Sequence, residues 1–197
     1  MQNWIRAQIG NIAGGGSSSA RIKSQQLVEI DFGTSTALTK DTTLSPAVDT
    51  ANTVIIPQGF SITSNSSLDV LSFGLEITSS TNLRATRQTG ANGASQFRAK
   101  AIVRQYYPRI IKSIQAVQVA FAASGAPLLA TQSIASVNTA KSEVNIVGVT
   151  TTSTTNYAGW YKFAFTSKFN SATEIQIDRL SSSNADDQVY VQVVEYY

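Results

Sequence analysis

Alternation of apolar and polar residues marks two corresponding stretches of the chain, residues 27–32 and 116–121. A period of two is typical of a β-strand that buries one face and exposes the other. Residues 99–103 and 189–193 repeat the pattern and predict a second pair of strands. The faces expected to point into a core carry Val28, Ile30, Phe32, Ala99, Ala101 and Val103 in the first half, and Val117, Val119, Phe121, Val189, Val191 and Val193 in the second.

Further segments rich in Thr, Val, Ile and aromatic residues also predict strands. Turn residues separate them, for example at 57–59 and 90–93. Short, regularly spaced strands without long helical patterns favour antiparallel sandwiches, which we expect to have roughly six to eight strands each. The predicted strand segments are 53–56, 68–77, 83–87, 144–150, 160–166 and 173–180.

The two halves of the chain resemble each other in sequence. Residues 22–64 and 111–153 align without a gap, and 15 of the 43 aligned positions are identical. A repeat this long indicates a duplicated domain rather than a solenoid unit. Not every position matches, because the last predicted strands carry different residues on their second face. These are Lys100, Ile102 and Arg104 in the first copy and Tyr190, Gln192 and Val194 in the second.

The ends of the two copies set the domain boundaries. Tyr106-Tyr107 closes the first copy and Tyr196-Tyr197 closes the second, and Pro108 follows the first pair, where a strand should stop. The sequence therefore predicts an all-β protein of two tandem antiparallel β-sandwich domains related by internal duplication, with a short N-terminal arm. The predicted parts are the arm and Gly/Ser linker at 1–19, the first sandwich at 20–108 and the second sandwich at 109–197.

The N-terminal arm has its own pattern. Trp4, Ile5, Ile9 and Ile12 fall near one face of a helix, and the Gly/Ser run at 14–19 is typical of a flexible linker. Two interpretations stay open. The segment is either a frayed terminus or an arm that docks its apolar side chains into a neighbouring subunit.

Composition argues against an enzyme. The chain has neither cysteine nor histidine, which removes the thiolate nucleophile, the commonest general base and the commonest metal ligands. It has no phosphate-binding loop and no dinucleotide fingerprint. We therefore expect no catalytic residue, no metal site and no cofactor. There is no apolar run long enough for a membrane span and no secretory signal pattern, so we expect synthesis in the cytosol and no membrane association.

Charge is unevenly distributed between the two copies. No Asp or Glu occurs from residue 77 to residue 142, a stretch with eight Lys and Arg residues, whereas acidic residues prevail near the end of the second copy. Two interpretations stay open: either these faces are solvated, or the basic end of one copy contacts the acidic end of the other, within a chain or between chains. Nucleic-acid binding is disfavoured, because the net charge is only +3 and no recognition motif is present.

Arg87 and Arg179 occupy equivalent positions on predicted strands. A lone arginine on a strand is usually a solvated or edge charge. Its presence in both copies predicts a shared structural pairing with a carboxylate or a carbonyl group, rather than a catalytic role.

Several strings in the second copy resemble a known structural module. They are residues 111–115, 136–142 and 173–179, followed by the Val-rich ending Val191-Gln192-Val193-Val194-Glu195-Tyr196. This pattern is similar to a small β-domain of tailed-bacteriophage virion proteins, found in tail, neck, fibre and head-decoration components. The first copy matches more loosely, since Arg104-Gln105-Tyr106 replaces the Val-Glu-aromatic ending.

The resemblance implies a non-enzymatic virion component, assembled in the host cytoplasm and acting through contacts with other virion proteins. It also implies a homo-oligomer, for which a trimer is one option. The alternative is a receptor- or glycan-binding module of a tail fibre, using loops such as 90–95 and 150–157. The candidate interface residues are Trp4, Ile5, Ile9, Ile12, Arg84, Arg98, Lys100, Arg104, Tyr106, Tyr107, Asp186, Asp187, Tyr196 and Tyr197.

Overall fold

The computed structural model describes residues 21–33, 35–62, 72–87, 97–122, 127–152, 164–180 and 186–197. Within these ranges the chain forms β-strands, short 3-10 turns and connections, and no α-helix. The predicted all-β fold is confirmed. The predicted arm, with Trp4, Ile5, Ile9 and Ile12, lies outside the described residues, as do the loop 90–95 and most of the loop 150–157.

The first half consists of two three-stranded antiparallel sheets. Sheet A has the order β1-β6-β3, and sheet B has the order β2-β5-β4. The strands are β1 (Ile22–Gly33), β2 (Thr39–Thr43), β3 (Thr53–Ile62), β4 (Gly74–Ser79), β5 (Asn82–Thr86) and β6 (Phe97–Tyr106).

The second half has the same strand order and pairing. Sheet C has the order β7-β12-β9, and sheet D has the order β8-β11-β10. The predicted boundary at residue 108 falls in the connection between β6 and β7. The strands are β7 (Ile111–Phe121), β8 (Leu129–Ser133), β9 (Ser142–Thr151), β10 (Phe165–Ser171), β11 (Glu174–Arg179) and β12 (Asp187–Tyr196).

The predicted alternation of the long strands is confirmed. In β1, Val28, Ile30 and Phe32 are buried while Leu27 is exposed, and the inward residues of β6 and β12 are also buried. The strands β2 and β8 were not predicted, because they are edge strands with mostly exposed residues and lack an apolar period. The position of β10 was also predicted poorly, because the strand continues to Ser171, past the expected end at 166.

The same side-chain clamp holds one loop in each half. Gln26 on β1 accepts a hydrogen bond from the Ser45 backbone N–H (3.0 Å) and donates one to the carbonyl of Pro46 (2.7 Å). Gln115 on β7 makes the same two bonds with the backbone N–H and carbonyl of Ala135. Each glutamine amide thus satisfies one backbone donor and one backbone acceptor of its loop.

The two sheets of each half enclose an apolar core, but the core of the first half also contains side chains of the second half. It includes Tyr190 of β12 and Val147 of β9, both from the second half. Tyr190 is only 6% exposed. The core of the second half is formed by residues of the second half alone, from sheets C and D and from the connection that carries Val137. The first half therefore uses side chains of the second half to close its core.

This contact explains why β6 and β12 differ on their second face. On sheet A, Lys100 is exposed and Ile102 and Arg104 are half-buried. On sheet C, the equivalent Tyr190, Gln192 and Val194 are buried. The edge of the first half, at β3 and β4, lies against the outer face of sheet C. The side-chain carbonyl of Gln192 accepts a hydrogen bond from the Ile55 backbone N–H of β3 (2.9 Å), so an unpaired edge donor is satisfied across the two halves.

Backbone contacts bring β4 next to β9. The N–H of Val149 donates to the carbonyl of Phe73 (2.9 Å), and the N–H of Thr151 donates to Oγ of Ser72 (3.1 Å). Close approach requires glycine on both sides. A Cβ on Gly74 would overlap the ring of Tyr190, and a Cβ on Gly148 would overlap the carbonyl of Phe73.

We expect Tyr190→Ala to lower the free energy of unfolding by about 3–5 kcal/mol, as for other large core aromatic residues. Gly74→Ala should cost about 1–3 kcal/mol through overpacking against the same ring. The double variant should lose less than the sum, because removing the ring also removes the clash. Chemical denaturation measures all three variants, and strict additivity would show that the two positions do not touch.

Candidate interaction surface

The outer face of sheet A carries a cross-strand network of ion pairs. Antiparallel pairing of β1 with β6 places Glu29 opposite Lys100 and Asp31 opposite Arg98. Lys100 Nζ lies 3.1 Å from Glu29 Oε2, and Arg98 Nε lies 3.0 Å from Asp31 Oδ2. Arg98 also reaches Glu29 at 3.6 Å. Exposed pairs of this kind contribute only about 0–1 kcal/mol each, but a network holds the long side chains in a defined arrangement.

A pair of apolar side chains lies next to these ion pairs on the outer face of sheet A. Leu27 is 72% exposed and stands opposite the half-buried Ile102. Arg104 donates from Nε to Oε1 of Gln25 (3.0 Å) beside them. Apolar groups with a polar rim are the usual composition of a protein–protein contact. We name this surface the charged face and define it as Gln25, Leu27, Glu29, Asp31, Arg98, Lys100, Ile102 and Arg104.

Arg84 forms an ion pair with Asp41 on sheet B. Its Nε and Nη2 donate to the two carboxylate oxygens of Asp41, at 2.8 and 3.0 Å. The hydrogen bonds from Arg84, followed by one from Asn82, lower the pKa of Asp41 to about 2. The bond to Asp41 in turn raises the pKa of Arg84.

Two acidic residues near the end of the second half, Asp186 and Asp187, also have partners within that half. Asp187 is buried and pairs with Arg179 at 2.8 Å. The backbone of Asp186 is bound to Thr152: its carbonyl accepts from the Thr152 N–H (3.1 Å), and its N–H donates to the Thr152 hydroxyl (3.0 Å). Within the described ranges, the ion pairs of Arg84, Arg98 and Lys100 are all with acidic residues of the first half. Of the charge interpretations, solvated faces with local pairs therefore describe a single chain best.

The two equivalent arginines are both buried and both lie over a phenylalanine ring. Arg87 is 4.4 Å from the ring centroid of Phe32, and Arg179 is 5.0 Å from that of Phe121. Each backbone N–H also donates to a corresponding leucine carbonyl, of Leu38 in one half and Leu128 in the other, at 2.8 Å. The arginines therefore tie a core aromatic ring to the edge of the opposite sheet in both halves.

The polar partners of these arginines differ, as the prediction allowed. The Arg87 guanidinium donates to the carbonyls of Ser35 and Ala37, whereas that of Arg179 donates to the Asp187 carboxylate. The predicted pairing with a carbonyl or a carboxylate is confirmed. Burial lowers the pKa of Arg87. Burial also raises the pKa of Asp187, against the opposing hydrogen bonds from Thr151 and Arg179.

The four tyrosines divide into two packed and two exposed side chains. Tyr106 and Tyr196 pack against a cluster around Val54, Ile111 and Val194, where the two halves meet. The Tyr196 hydroxyl donates to Glu143, and burial together with this carboxylate raises the pKa of Tyr196. The next tyrosines stay accessible, with 49% of Tyr107 and 67% of Tyr197 exposed.

Glu195 organises the end of the second half. Its carboxylate accepts from the backbone N–H of Asn138 (3.0 Å), from Lys112 Nζ (2.9 Å) and from Ser113 Oγ (3.3 Å). The backbone donor of Asn138 has the largest effect and Lys112 the next, and together they lower the pKa of Glu195. In the first half Gln105 takes the equivalent place and accepts from Ser24.

The described part of the chain contains no group of three or more acidic, histidine or cysteine side chains that could hold a metal ion. It also contains no helix with the length and apolar character needed to cross a membrane. Comparisons with protein-family models, with curated proteins and with solved structures found no match.

Sequence reasoning missed the contact between the two halves and the loop clamps of Gln26 and Gln115. One signal for the contact was present. Tyr190, Gln192 and Val194 are neutral where the equivalent face of β6 carries two charges. A second face without charges on a long strand indicates that both faces are covered. The only sequence feature that pointed to the loop clamps was the presence of glutamine at both equivalent positions, 26 and 115.

We expect the two buried arginines to differ in their effect on stability. Arg179→Met should lower the free energy of unfolding by about 3–5 kcal/mol, because it leaves the Asp187 carboxylate buried without its cation. Arg87→Met should cost only about 1–3 kcal/mol, because it leaves carbonyl groups in an exposed loop. Adding Asp187→Leu to Arg179→Met should recover part of the loss. Chemical denaturation measures these differences, and equal losses without recovery would contradict the pairing.

The lowered pKa of Glu195 predicts an acid-dependent stability. The ionised carboxylate contributes fully above its ordinary pKa of 4.5, and this contribution is lost as the pH falls through the lower folded-state pKa. Glu195→Gln should therefore flatten the fall of unfolding free energy on acidification. Glu174→Gln, a change of one carboxylate on sheet D, is the matched control. An unchanged acid profile in Glu195→Gln would contradict the prediction.

Proposed function

We propose that the protein is a non-enzymatic structural component of a bacteriophage virion, a capsid-decoration or tail/neck protein that acts through protein–protein contacts. The charged face is the observation that carries the proposal. It is a broad strand surface whose side chains are held by cross-strand pairs, with exposed Leu27 near its middle. The equivalent face of the second half is covered, so the chain leaves one of two corresponding faces for a partner.

The resemblance of the second copy to phage β-domains supports the virion assignment. Local pairing of the charged residues supports a role in contact rather than reaction, since no charged group of this face is left to polarise a substrate. The partners would be other virion proteins, and the complex would assemble in the host cytoplasm.

We also propose a homo-oligomer, with a trimer as the state to test first. A closed ring of three chains would present six similar sandwiches around one axis, which would suit threefold or approximately sixfold surroundings on a particle. The glycan-binding alternative depends on loops that lie largely outside the described residues, and no contact described above favours it.

Leu27→Glu should reduce incorporation into particles by at least about 30-fold, the effect of losing a contact of about 2 kcal/mol at the centre of an interface. The measurement is the copy number per particle, by mass spectrometry of virions purified from a lysate of the phage that carries the gene. Leu129→Glu is the matched control, since Leu129 is also exposed on a strand but lies on sheet D.

Each outcome of this measurement has a definite meaning. Stoichiometric wild-type protein that is lost with Leu27→Glu supports both the virion role and the charged face. Equal loss with both variants would reject the charged face as the contact. Absence of the wild-type chain from particles, together with selective binding on a glycan array, would replace the proposal with the receptor-binding alternative.

A further inference from the structure

The contact between the two halves joins a sheet face to a sandwich edge, and each of these surfaces has a counterpart elsewhere in the chain. The face is the outer face of sheet C, and the edge contains β4 and the 3-10 turn Thr50–Asn52. Because both halves have the same strand order, the charged face is the counterpart of the covered face. The counterpart of the edge consists of the turn Thr139–Lys141, β10 and Asp178 of the adjacent β11, and we name it the second edge.

The strand registers define which residues of the two faces are equivalent. Tyr190 of β12 pairs with Gln118 of β7, and Lys100 of β6 pairs with Glu29 of β1. Lys100 and Glu29 therefore have the places on sheet A that Tyr190 and Gln118 have on sheet C.

The two edges are matched in the same way. Thr86 directly precedes the buried Arg87, and Asp178 directly precedes the equivalent Arg179. Three residues before these arginines, Arg84 pairs with Glu76 of β4, and Gln176 pairs with Lys168 of β10. Asp178 and Lys168 therefore have the places on the second edge that Thr86 and Glu76 have on the first.

Within the chain, these positions of face and edge meet. The Tyr190 ring lies against Gly74, which pairs with Thr86. Burial raises the pKa of Tyr190, the nearby Thr86 hydroxyl opposes this shift, and the Glu76 carboxylate adds to it. Gln118 and Glu76 line the same groove. The internal contact therefore places Tyr190 and Gln118 against Thr86 and Glu76.

The equivalent residues have complementary charges. Lys100 takes the place of Tyr190 and Asp178 that of Thr86, while Glu29 and Lys168 replace Gln118 and Glu76. Lys100 Nζ already lies 3.1 Å from Glu29 Oε2, and Lys168 Nζ lies 3.3 Å from Asp178 Oδ2. The four side chains are between 36% and 57% exposed, so a second molecule can reach them. Stacking one ion pair on the other in this register gives each cation a second carboxylate, which fixes the orientation of a contact.

The exposed Leu27 also has an equivalent in the internal contact. It takes the place of Ala116, which lines a groove of about 380 Å³ together with Ala51 of the turn Thr50–Asn52. The matching turn Thr139–Lys141 has the same cap, since Asp49 and Asn138 each accept a hydrogen bond from the second backbone N–H of their turn. Because leucine is larger than alanine, Leu27 fills the corresponding groove when this turn lies over it.

We propose that the charged face of one copy binds the second edge of another copy, and so repeats between chains the contact that joins the two halves within a chain. This inference rests on the proposed role of the charged face as a protein contact, and it names a second copy of the chain as the partner. Each chain carries one face and one edge, so the association is head to tail. Such an interface closes into a ring or continues as a filament.

Charge reversal tests the proposal on the purified chain, with the mass in solution measured by sedimentation equilibrium. We expect the wild-type chain to associate and Lys100→Glu to weaken association at least about tenfold, because the new carboxylate faces Asp178. Adding Asp178→Lys to Lys100→Glu should restore association, since two acidic side chains of the face then meet two basic side chains of the edge. Lys40→Glu is the matched control, because Lys40 is exposed on β2 of sheet B.

Three results of this experiment would overturn the proposal. They are a monomeric wild-type chain, no recovery of association in the double variant, and an equal loss with Lys40→Glu. Because all the substituted side chains are exposed, chemical denaturation should show an unchanged fold in every variant.

The absence of cysteine allows a second measurement that determines the orientation of the chains. Leu27→Cys combined with Ala140→Cys, treated with a short bismaleimide cross-linker, should give covalent dimers and larger species. Leu27→Cys alone should stay uncross-linked. Efficient dimers from Leu27→Cys alone would show that two charged faces meet each other, and would reject the head-to-tail contact.

The failure of this inference can be told apart from the failure of the virion role. Particles that contain the wild-type chain, while the purified chain is a monomer, would keep the virion role and reject the head-to-tail contact. A purified chain that associates as predicted, but is absent from particles, would reject the virion role and support the contact.

Discussion

The burial of the second face of β12 against the first half is the contact on which the rest of the structure depends. Tyr190 enters the core of the first half, Gln192 satisfies the edge N–H of Ile55, and Val194 joins a third apolar cluster. These three side chains take the places that Lys100, Ile102 and Arg104 have on the equivalent face of β6. The strand β12 therefore contributes side chains to two cores. The edge of the first half packs against the outer face of sheet C, so the two halves are in direct contact.

The same contact accounts for the division of charge between the two exteriors. Where sheet C is covered, its outer side chains are neutral, and where sheet A is open, Glu29, Asp31, Arg98 and Lys100 form pairs across β1 and β6. An open strand face needs such charges to resist uncontrolled association. Leu27 is the exposed apolar side chain among these charges, and it is the reason we propose this face as a protein contact.

Much of the fold could be predicted from the sequence, because an apolar residue recurs at every second position of β1, β6, β7 and β12. The polar edge strands β2 and β8 could not, since their stability comes from pairing with β5 and β11 and not from an apolar face. The pairing of Arg87 and Arg179 was predictable from their equivalent positions, although their partners were not, because Asp187 occupies the position of Phe97. Common ancestry of the two halves stays a prediction from sequence, supported by equal strand order and by the shared glutamine clamps.

Native-state hydrogen exchange at the amides of Ile55 and Val149 tests the central claim most directly, because each donates across the two halves. If the halves form one cooperative structure, both amides should exchange only with global unfolding, at the rate of core amides such as those of Ile30 and Ile177. Rapid exchange of Ile55 and Val149 while those core amides stay protected would show that the halves separate readily, and would contradict the account.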